Sequence, residues 1–273
     1  MQDYEALDIS KWCNSGVGVF EDPELELGRQ SFLGLPFLVG QEGDRSGDDC
    51  FITLEDGDSP VTVVVDQSAL QVVFAHRLLE SEWADAGRLG VDVAEYVFHF
   101  VDGVSESVMI RERFEIAGGA VNGGLRGRSA MPFLAMPDHG ARLMPRTQGS
   151  WDMTGRRQFE AEPLGARWYY LWAWKNPRPE HRIHAVEISA KGPRFLVAGI
   201  TLGHADEHPF VRPGRRPAKI VLKDPEQARR PFDLDVEVDR GENTYAFTLP
   251  KGTGEDFLND PFSGWGEAPN RQS

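Results

Sequence analysis

The hydrophobic and polar side chains alternate along much of this chain with the period of β-strands. Residues 93–101 place Tyr96, Phe98 and Phe100 on one face of an extended segment and His99 on the opposite face. This alternation predicts a strand with one buried face and one solvated face.

The dipeptide Asp102-Gly103 separates that segment from a second strand-like run, residues 104–110. A two-residue connection of this composition between two strands predicts a β-hairpin in which both central residues adopt positive φ. The segment 93–110 is therefore predicted to be an antiparallel pair.

Further strand-like runs continue along the chain, separated by Gly, Pro, Asn and Asp. They cover residues 33–39, 50–54, 61–65, 70–74, 168–174, 183–188, 195–202, 234–238 and 243–249. Helix is predicted only over 80–88 and 225–230. Many short strands with frequent turns predict an all-β chain, an antiparallel β-sandwich that is jelly-roll-like, with a smaller appended β segment.

Composition divides the chain into three predicted parts. Residues 1–205 form the β-sandwich domain, 206–263 form an appended β segment packed on it, and 264–273 form a linker-like tail. Residues 118–165 are rich in Gly, Pro, Met and Arg and show no clear periodicity. We expect long loops there, and long loops in a compact domain tend to be functional or disordered.

The most conspicuous segment is an aromatic run at residues 168–174. On an extended chain Trp168, Tyr170, Trp172 and Trp174 share one face. Aromatic residues have high strand propensity and bury large areas, which favours a core strand. The alternative is an exposed row of rings that stacks on sugars or other flat apolar ligands.

The exposed alternative defines a candidate ligand-binding site. Trp174 lies where a strand meets a loop, and Trp151 lies in a loop-like region, so these two rings are the candidates for exposure. Stacking on either ring, with Arg156 and Asn176 as hydrogen-bonding neighbours, predicts a carbohydrate-binding surface.

No pattern in the sequence completes a catalytic centre. His181 and His184 lie beside a predicted strand start, where an extended chain points them to opposite faces, and no His-x-Glu-x-x-His arrangement occurs. Ser150 lacks the Gly-x-Ser-x-Gly elbow of a nucleophile. We therefore predict no catalytic residue, no metal and no cofactor, although 43 acidic residues leave a carboxylate pair open.

Charge and the N-terminal sequence narrow the partners and the compartment. The formal net charge of −14 repels phosphate backbones, which argues against nucleic acid as a partner. No apolar run reaches the length of a membrane span, and no signal peptide is visible, so the default expectation is cytoplasmic, or secreted if a signal was removed. Whether Cys13 and Cys50 pair is left open by the sequence.

Three segments, residues 8–14, 28–37 and 174–179, carry a resemblance to a known family. They include Gly-Leu-Pro-Phe in the second segment and Asn-Pro-Arg-Pro in the third. Together they resemble the N-terminal β-sandwich region of bacterial carbaryl-hydrolase-like (PHP-type) multidomain metallohydrolases, and the galactose-binding-like jelly rolls that accompany some polysaccharide-degrading enzymes. The resemblance spans residues 8–265 and implies an accessory domain whose catalytic, metal-binding part lies elsewhere; no functional residue carries over.

These observations favour a non-catalytic accessory β-sandwich that binds carbohydrate or docks a catalytic hydrolase domain. In the purely docking version, the aromatic strand is core and an exposed apolar patch meets the neighbouring domain. The rival interpretation is a hydrolase with an unrecognised carboxylate or metal site, or one part of a multidomain metallohydrolase whose catalytic domain is absent from this chain.

Overall fold

The computed structural model describes residues 3–19, 25–41, 43, 47–81, 88–118, 132–139, 142–145, 159–162, 166–210, 223–224, 226, 243–244 and 271–272. In this part of the chain, helix is limited to short 3-10 segments, including Ser10–Trp12 and Val17–Val19. The strands, numbered in chain order, are β1 Tyr4–Leu7, β2 Gly28–Phe32, β3 Leu35–Val39, β4 Ile52–Leu54, β5 Val61–Gln67, β6 Gln71–Leu78, β7 Asp92–Phe100, β8 Ser105–Arg111, β9 Met136–Pro137, β10 Arg142–Pro145, β11 Phe159–Glu162, β12 Tyr170–Lys175, β13 Ile183–Ala190, β14 Phe195–Gly203, β15 Asn243–Thr244 and β16 Arg271–Gln272.

Two antiparallel sheets form the sandwich. The first sheet has the order β1-β14-β6-β12-β9, with β4 also paired to β14, and the second has the order β5-β13-β7-β8. Pairing in the second sheet is antiparallel throughout. The predicted fold class, an all-β antiparallel sandwich, is confirmed.

The first sheet is covered on both faces. One face packs against the second sheet through a core that includes Phe74, Tyr96 and Trp172. The other face packs against the β2–β3 hairpin, which contributes Phe32 and Phe37 to a second core. Because both faces are covered, β14 is buried at all nine positions, Thr201 included, and its sequence shows no alternation of apolar and polar residues.

The predicted hairpin at residues 93–110 is confirmed, but its turn differs from the prediction. Strands β7 and β8 pair as expected. The Gly103 N–H donates to the Phe100 carbonyl, the Phe100 N–H donates to the Val104 carbonyl, and Gly103 has φ +83°. Asp102 is not among the positive-φ residues, so the connection has a single left-handed residue, at the glycine.

The chain divides into two compact units. One contains residues 1–139 and 164–211, and the other contains 140–163 and 212–273. The second unit includes the antiparallel pairs β10–β11 and β15–β16. The predicted boundary at residue 205 stays a prediction.

Several predicted elements meet the structure only in part. The expected loop region 118–165 contains the short strands β9, β10 and β11. Residues 82–87, at the centre of one predicted helix, lie outside the described residues, as do the predicted strand 234–238 and most of the helix at 225–230. Of the predicted strand 243–249, only β15 is described, and it pairs with β16 in the segment expected to be a linker.

Candidate functional site

Trp174 lies in the interior rather than at the surface. Its side chain is 7% exposed, and its indole stacks on the ring of Phe98 with 3.5 Å between centroids and 6° between planes. Phe98 belongs to β7, so this contact joins the first sheet to the second. The predicted exposure of Trp174 is wrong, because the facing sheet supplies a partner ring near the end of β12.

The side chain of Asn176 forms hydrogen bonds with backbone groups. It is 3% exposed, its Nδ2 donates to the Ala69 carbonyl at 2.8 Å, and its Oδ1 accepts the Arg178 N–H at 2.8 Å. Its own N–H donates to the Leu70 carbonyl at 2.9 Å. The side chain therefore ties the loop after β12 to the segment before β6, and it is not presented to a ligand.

Trp151 and Arg156, the other two predicted ligand-binding residues, lie outside the described residues. Their role in binding stays a prediction. Of the four predicted residues, the structure describes only Trp174 and Asn176, and both belong to the interior.

The aromatic segment 168–174 divides its side chains between the two cores. Tyr170 and Trp172 join Trp174 in the core between the sheets, whereas Trp168 lies in the core under the β2–β3 hairpin. Trp168 departs from the predicted common face because β12 begins only at Tyr170. The segment is core, which is the interpretation that its strand propensity favours.

A buried histidine joins the two sheets by hydrogen bonds. His76 is fully buried on β6; its Nε2 lies 2.8 Å from the carbonyl oxygen of Glu115 and its Nδ1 lies 3.0 Å from the hydroxyl of Tyr96. A carbonyl only accepts, so Nε2 carries the proton and the Tyr96 hydroxyl donates to Nδ1. Burial lowers the pKa of His76 from 6.5 to about 4 and raises the pKa of Tyr96, so both groups are neutral at pH 7.

A buried carboxylate fixes the segment that carries β9. Asp138 is 4% exposed, and its two oxygens accept the backbone N–H groups of Arg167, Trp168 and Tyr169 at 2.7–3.0 Å. His139 Nδ1 lies 2.9 Å from Oδ1 of the same carboxylate. Asp138 thereby orients the imidazole of His139 and locks residues 132–139 against the start of β12.

The exposed histidines pair separately with carboxylates. His181 lies 3.1 Å from Asp102, and His184 lies 2.8 Å from Asp66. The Arg178 guanidinium lies 2.8 Å from Asp102 and is the main cause that lowers the pKa of that carboxyl. Among the described residues, no group of three or more His, Cys, Asp and Glu side chains is placed to hold a metal ion.

An exposed apolar patch lies on the segment 132–139. It consists of Phe133, Leu134 and Met136, which are 65%, 55% and 42% exposed. We call these three residues the apolar patch. Large apolar side chains that stand together at a surface mark interaction sites more often than scattered single ones do.

The apolar patch is held by a turn at the end of β8. The N–H of Phe133 donates to the carbonyl of Arg113, and the N–H of Leu134 donates to the carbonyl of Phe114, each at 2.9 Å. The rings of Phe114 and Phe133 lie 5.5 Å apart. These hydrogen bonds therefore fix the backbone that holds the apolar patch at the surface.

One guanidinium group lies beside the apolar patch, and a second lies beside the neighbouring ring of Phe114. The Arg113 guanidinium lies 6.0 Å from the ring of Phe133, and Arg113 has φ +69°. The Arg111 guanidinium lies 4.6 Å from the ring of Phe114 and forms a 2.8 Å ion pair with Glu115. Aromatic rings beside arginine are the combination that is enriched in the cores of protein interfaces.

Sequence reasoning missed both Asp138 and the apolar patch. They lie in the aperiodic region 118–165, where neither burial nor exposure has a sequence signal. The one available hint was local: Phe133-Leu134 is a pair of adjacent large apolar residues in a Gly- and Pro-rich region.

No family model, no curated protein and no solved structure matches the chain.

Both cysteines, Cys13 and Cys50, are free thiols. Within the described part of the chain, no helix is both long and apolar enough to cross a membrane.

Proposed function

We propose that this chain is a non-catalytic accessory β-sandwich that docks a catalytic hydrolase domain through the apolar patch. The observation that carries the proposal is the joint exposure of Phe133, Leu134 and Met136 on a backbone fixed by hydrogen bonds. Burying these side chains against a partner is favourable by about 25 cal/mol for each Å² of apolar surface removed from water.

The position of the aromatic residues supports docking over glycan stacking at β12. Trp172 and Trp174 are 6% and 7% exposed, so their rings already pack against protein. The proposed mode of action is therefore surface complementarity, with Phe133 as the central anchor.

The nature of the partner is proposed from the resemblance of residues 8–14, 28–37 and 174–179 to sandwiches that accompany hydrolase domains. An interface between domains of one protein is usually mixed, with an apolar centre and polar edges. The apolar patch supplies the apolar centre of such an interface.

The test is a direct binding measurement with a purified hydrolase domain that the same gene or the same operon encodes. Isothermal titration calorimetry should detect binding to the wild-type chain, and Phe133→Ser combined with Leu134→Ser should weaken it by more than about tenfold. Val104→Ser is the matched control, because Val104 is 42% exposed at the other end of the β7–β8 hairpin. Binding that both variants retain in full would contradict the proposal.

Carbohydrate binding is the competing outcome, and Phe133 is also the described aromatic ring most available for stacking on a sugar. Affinity electrophoresis on gels that contain soluble polysaccharides tests it. The polysaccharide gel would have to retain the wild-type chain but not Phe133→Ala, and the wild-type chain would have to show no binding to the hydrolase domain. That combination would indicate that the apolar patch recognises a glycan and does not dock a domain.

A further inference from the structure

The apolar patch contains one side chain whose polarity can change after the chain has folded. Met136 is 42% exposed and belongs to the same surface segment as Phe133 and Leu134. Oxidation converts the flexible, apolar thioether of methionine into a polar sulfoxide, and an oxidant has to reach the sulfur to do so. Met136 therefore combines a reactive group with access to solvent.

A second methionine of this chain provides an internal comparison. Met109 lies on β8, opposite Glu95 of β7, and is half-buried. The two side chains carry the same thioether and differ in their surroundings. Because access limits the reaction, the sulfur of Met136 should be oxidised before the sulfur of Met109.

The backbone at Met136 is held by contacts that do not depend on the Met136 side chain. Met136 and Pro137 pair with Leu171 and Tyr170 of β12. The next residue, Asp138, donates its N–H to the carbonyl of Tyr169 at 3.0 Å. A change of the exposed thioether should therefore alter the surface of the patch and leave its backbone in place.

The chemical step needs an oxidant of the hydrogen peroxide class. One oxygen atom passes from the peroxide to the sulfur: the O–O bond breaks, an S–O bond forms, the sulfur is oxidised and the peroxide is reduced to water. The product is a polar sulfoxide. Reductases specific for methionine sulfoxide restore the thioether, so the change is reversible.

We infer that Met136 is a reversible oxidation site and that its oxidation weakens docking at the apolar patch. This regulation rests on the proposed function, because it acts on the same surface. A sulfoxide that is buried against an apolar partner loses its hydrogen bonds to water, and docking should weaken by about tenfold or more. A docked partner covers the sulfur, so docking should in turn slow the oxidation of Met136.

Peptide mass spectrometry after timed exposure to hydrogen peroxide tests the oxidation site without any partner. The native wild-type chain should gain oxygen at Met136 faster than at Met109. In guanidinium the two rates should become similar, because unfolding exposes both sulfurs. A native chain in which Met109 is oxidised as fast as Met136 would overturn the inference.

Isothermal titration calorimetry with the purified hydrolase domain tests the effect on docking. The oxidised wild-type chain should bind about tenfold more weakly than the reduced chain. Met136→Leu should bind equally well before and after peroxide treatment, because leucine has a similar volume and forms no sulfoxide. Met109→Leu is the matched control and should lose affinity on oxidation as the wild-type chain does. Equal affinities of the oxidised and the reduced wild-type chain would overturn the inference, as would an equal loss of affinity in oxidised Met136→Leu.

Hydrophobic-interaction chromatography separates a failure of this inference from a failure of the proposed function. The oxidised wild-type chain should elute earlier than the reduced chain, whereas peroxide should shift Met136→Leu much less. If the reduced chain binds no hydrolase domain, the proposed function is contradicted and the regulation of docking falls with it. If the reduced chain binds the domain but oxidation of Met136 changes neither its elution nor its affinity, the inference alone is contradicted.

Discussion

The indole of Trp174 and the phenyl ring of Phe98 stack face to face, with 3.5 Å between their centroids. Trp174 lies on β12 of the first sheet, and Phe98 lies on β7 of the second. The contact fixes the spacing between the sheets at the end of the sandwich where a ligand-stacking ring was expected. What the sequence presents as a candidate binding residue is thus part of the inter-sheet core.

The same aromatic layer continues along the sandwich. Phe74 lies 5.8 Å from Trp172 and 4.8 Å from Tyr96, measured between ring centroids. Tilted aromatic pairs of this kind contribute beyond their buried area, by about 0.5–1.5 kcal/mol each. The interior is therefore built chiefly from rings contributed by three strands, β6, β7 and β12.

The buried His76 predicts that stability depends on pH below neutrality. The folded chain holds the pKa of His76 at about 4, whereas the unfolded chain has the ordinary value of 6.5. The unfolded state therefore binds the proton first, so this contribution is complete above pH 6.5 and is lost as the pH falls toward 4. We expect a loss of about 3 kcal/mol over that interval from this group.

Urea unfolding at a series of pH values measures this effect, and His76→Gln is the variant to compare. The variant should be less stable at pH 7 but should show a flatter dependence between pH 6.5 and 4. An imidazole of His76 that titrates near 6.5 in the folded protein, followed by NMR, would contradict the assignment.

Loss of the Asp138 carboxylate should release the segment that carries the apolar patch. Asp138→Ala removes the acceptor of three backbone N–H groups, of which those of Trp168 and Tyr169 are buried. Since each such hydrogen bond to a charged group contributes about 1.5–3 kcal/mol, the free energy of unfolding should fall by several kcal/mol. In Asp138→Asn the free energy of unfolding should fall less, because one carbonyl oxygen remains as an acceptor.

Hydrogen exchange locates the Asp138 effect. In Asp138→Ala, the amides of residues 167–169 should exchange much faster than in wild type, while those of β13 should change little. Unaltered protection of residues 167–169 would mean that the carboxylate does not hold them.

The two thiols should be inert in the native protein. Burial is the main cause that raises the pKa of Cys13 to about 12, and Cys50 is 2% exposed. Reaction with a thiol reagent at pH 8 requires thiolate and access, so both cysteines should react only after unfolding in guanidinium. A rapidly modified native thiol, located by mass spectrometry, would be inconsistent with this packing.

The fold class is predictable where one face of a strand is wet. Residues 93–110 alternate because only the inner face of β7 and β8 is buried, and the hairpin follows from that pattern. The β14 strand does not alternate, because the β2–β3 hairpin covers its second face. That extra layer is formed by residues 28–39, which are distant from β14 in sequence. No local pattern in β14 therefore predicts it.

The candidate site was harder to predict because exposure is decided by tertiary contacts. Trp174 lies at the end of a strand, yet the ring of Phe98 covers it, and the sequence does not show which distant residue lies opposite. Phe133, in contrast to Trp174, is exposed. It lies in an aperiodic segment that is held at the surface by hydrogen bonds to the turn at Arg113. Asp138, which resembles a solvated loop acid, is buried for the same kind of reason.

The aromatic strand β12 is structural core, and the variant Trp174→Ala distinguishes this role from ligand binding. Chemical unfolding should show a loss of about 3–5 kcal/mol, as expected when a large buried aromatic side chain is truncated. Val104→Ala, at an exposed position, should change stability by less than about 0.5 kcal/mol. If Trp174→Ala leaves the unfolding free energy unchanged and instead abolishes retention on a polysaccharide gel, the ring of Trp174 is a ligand-stacking surface and not part of the core.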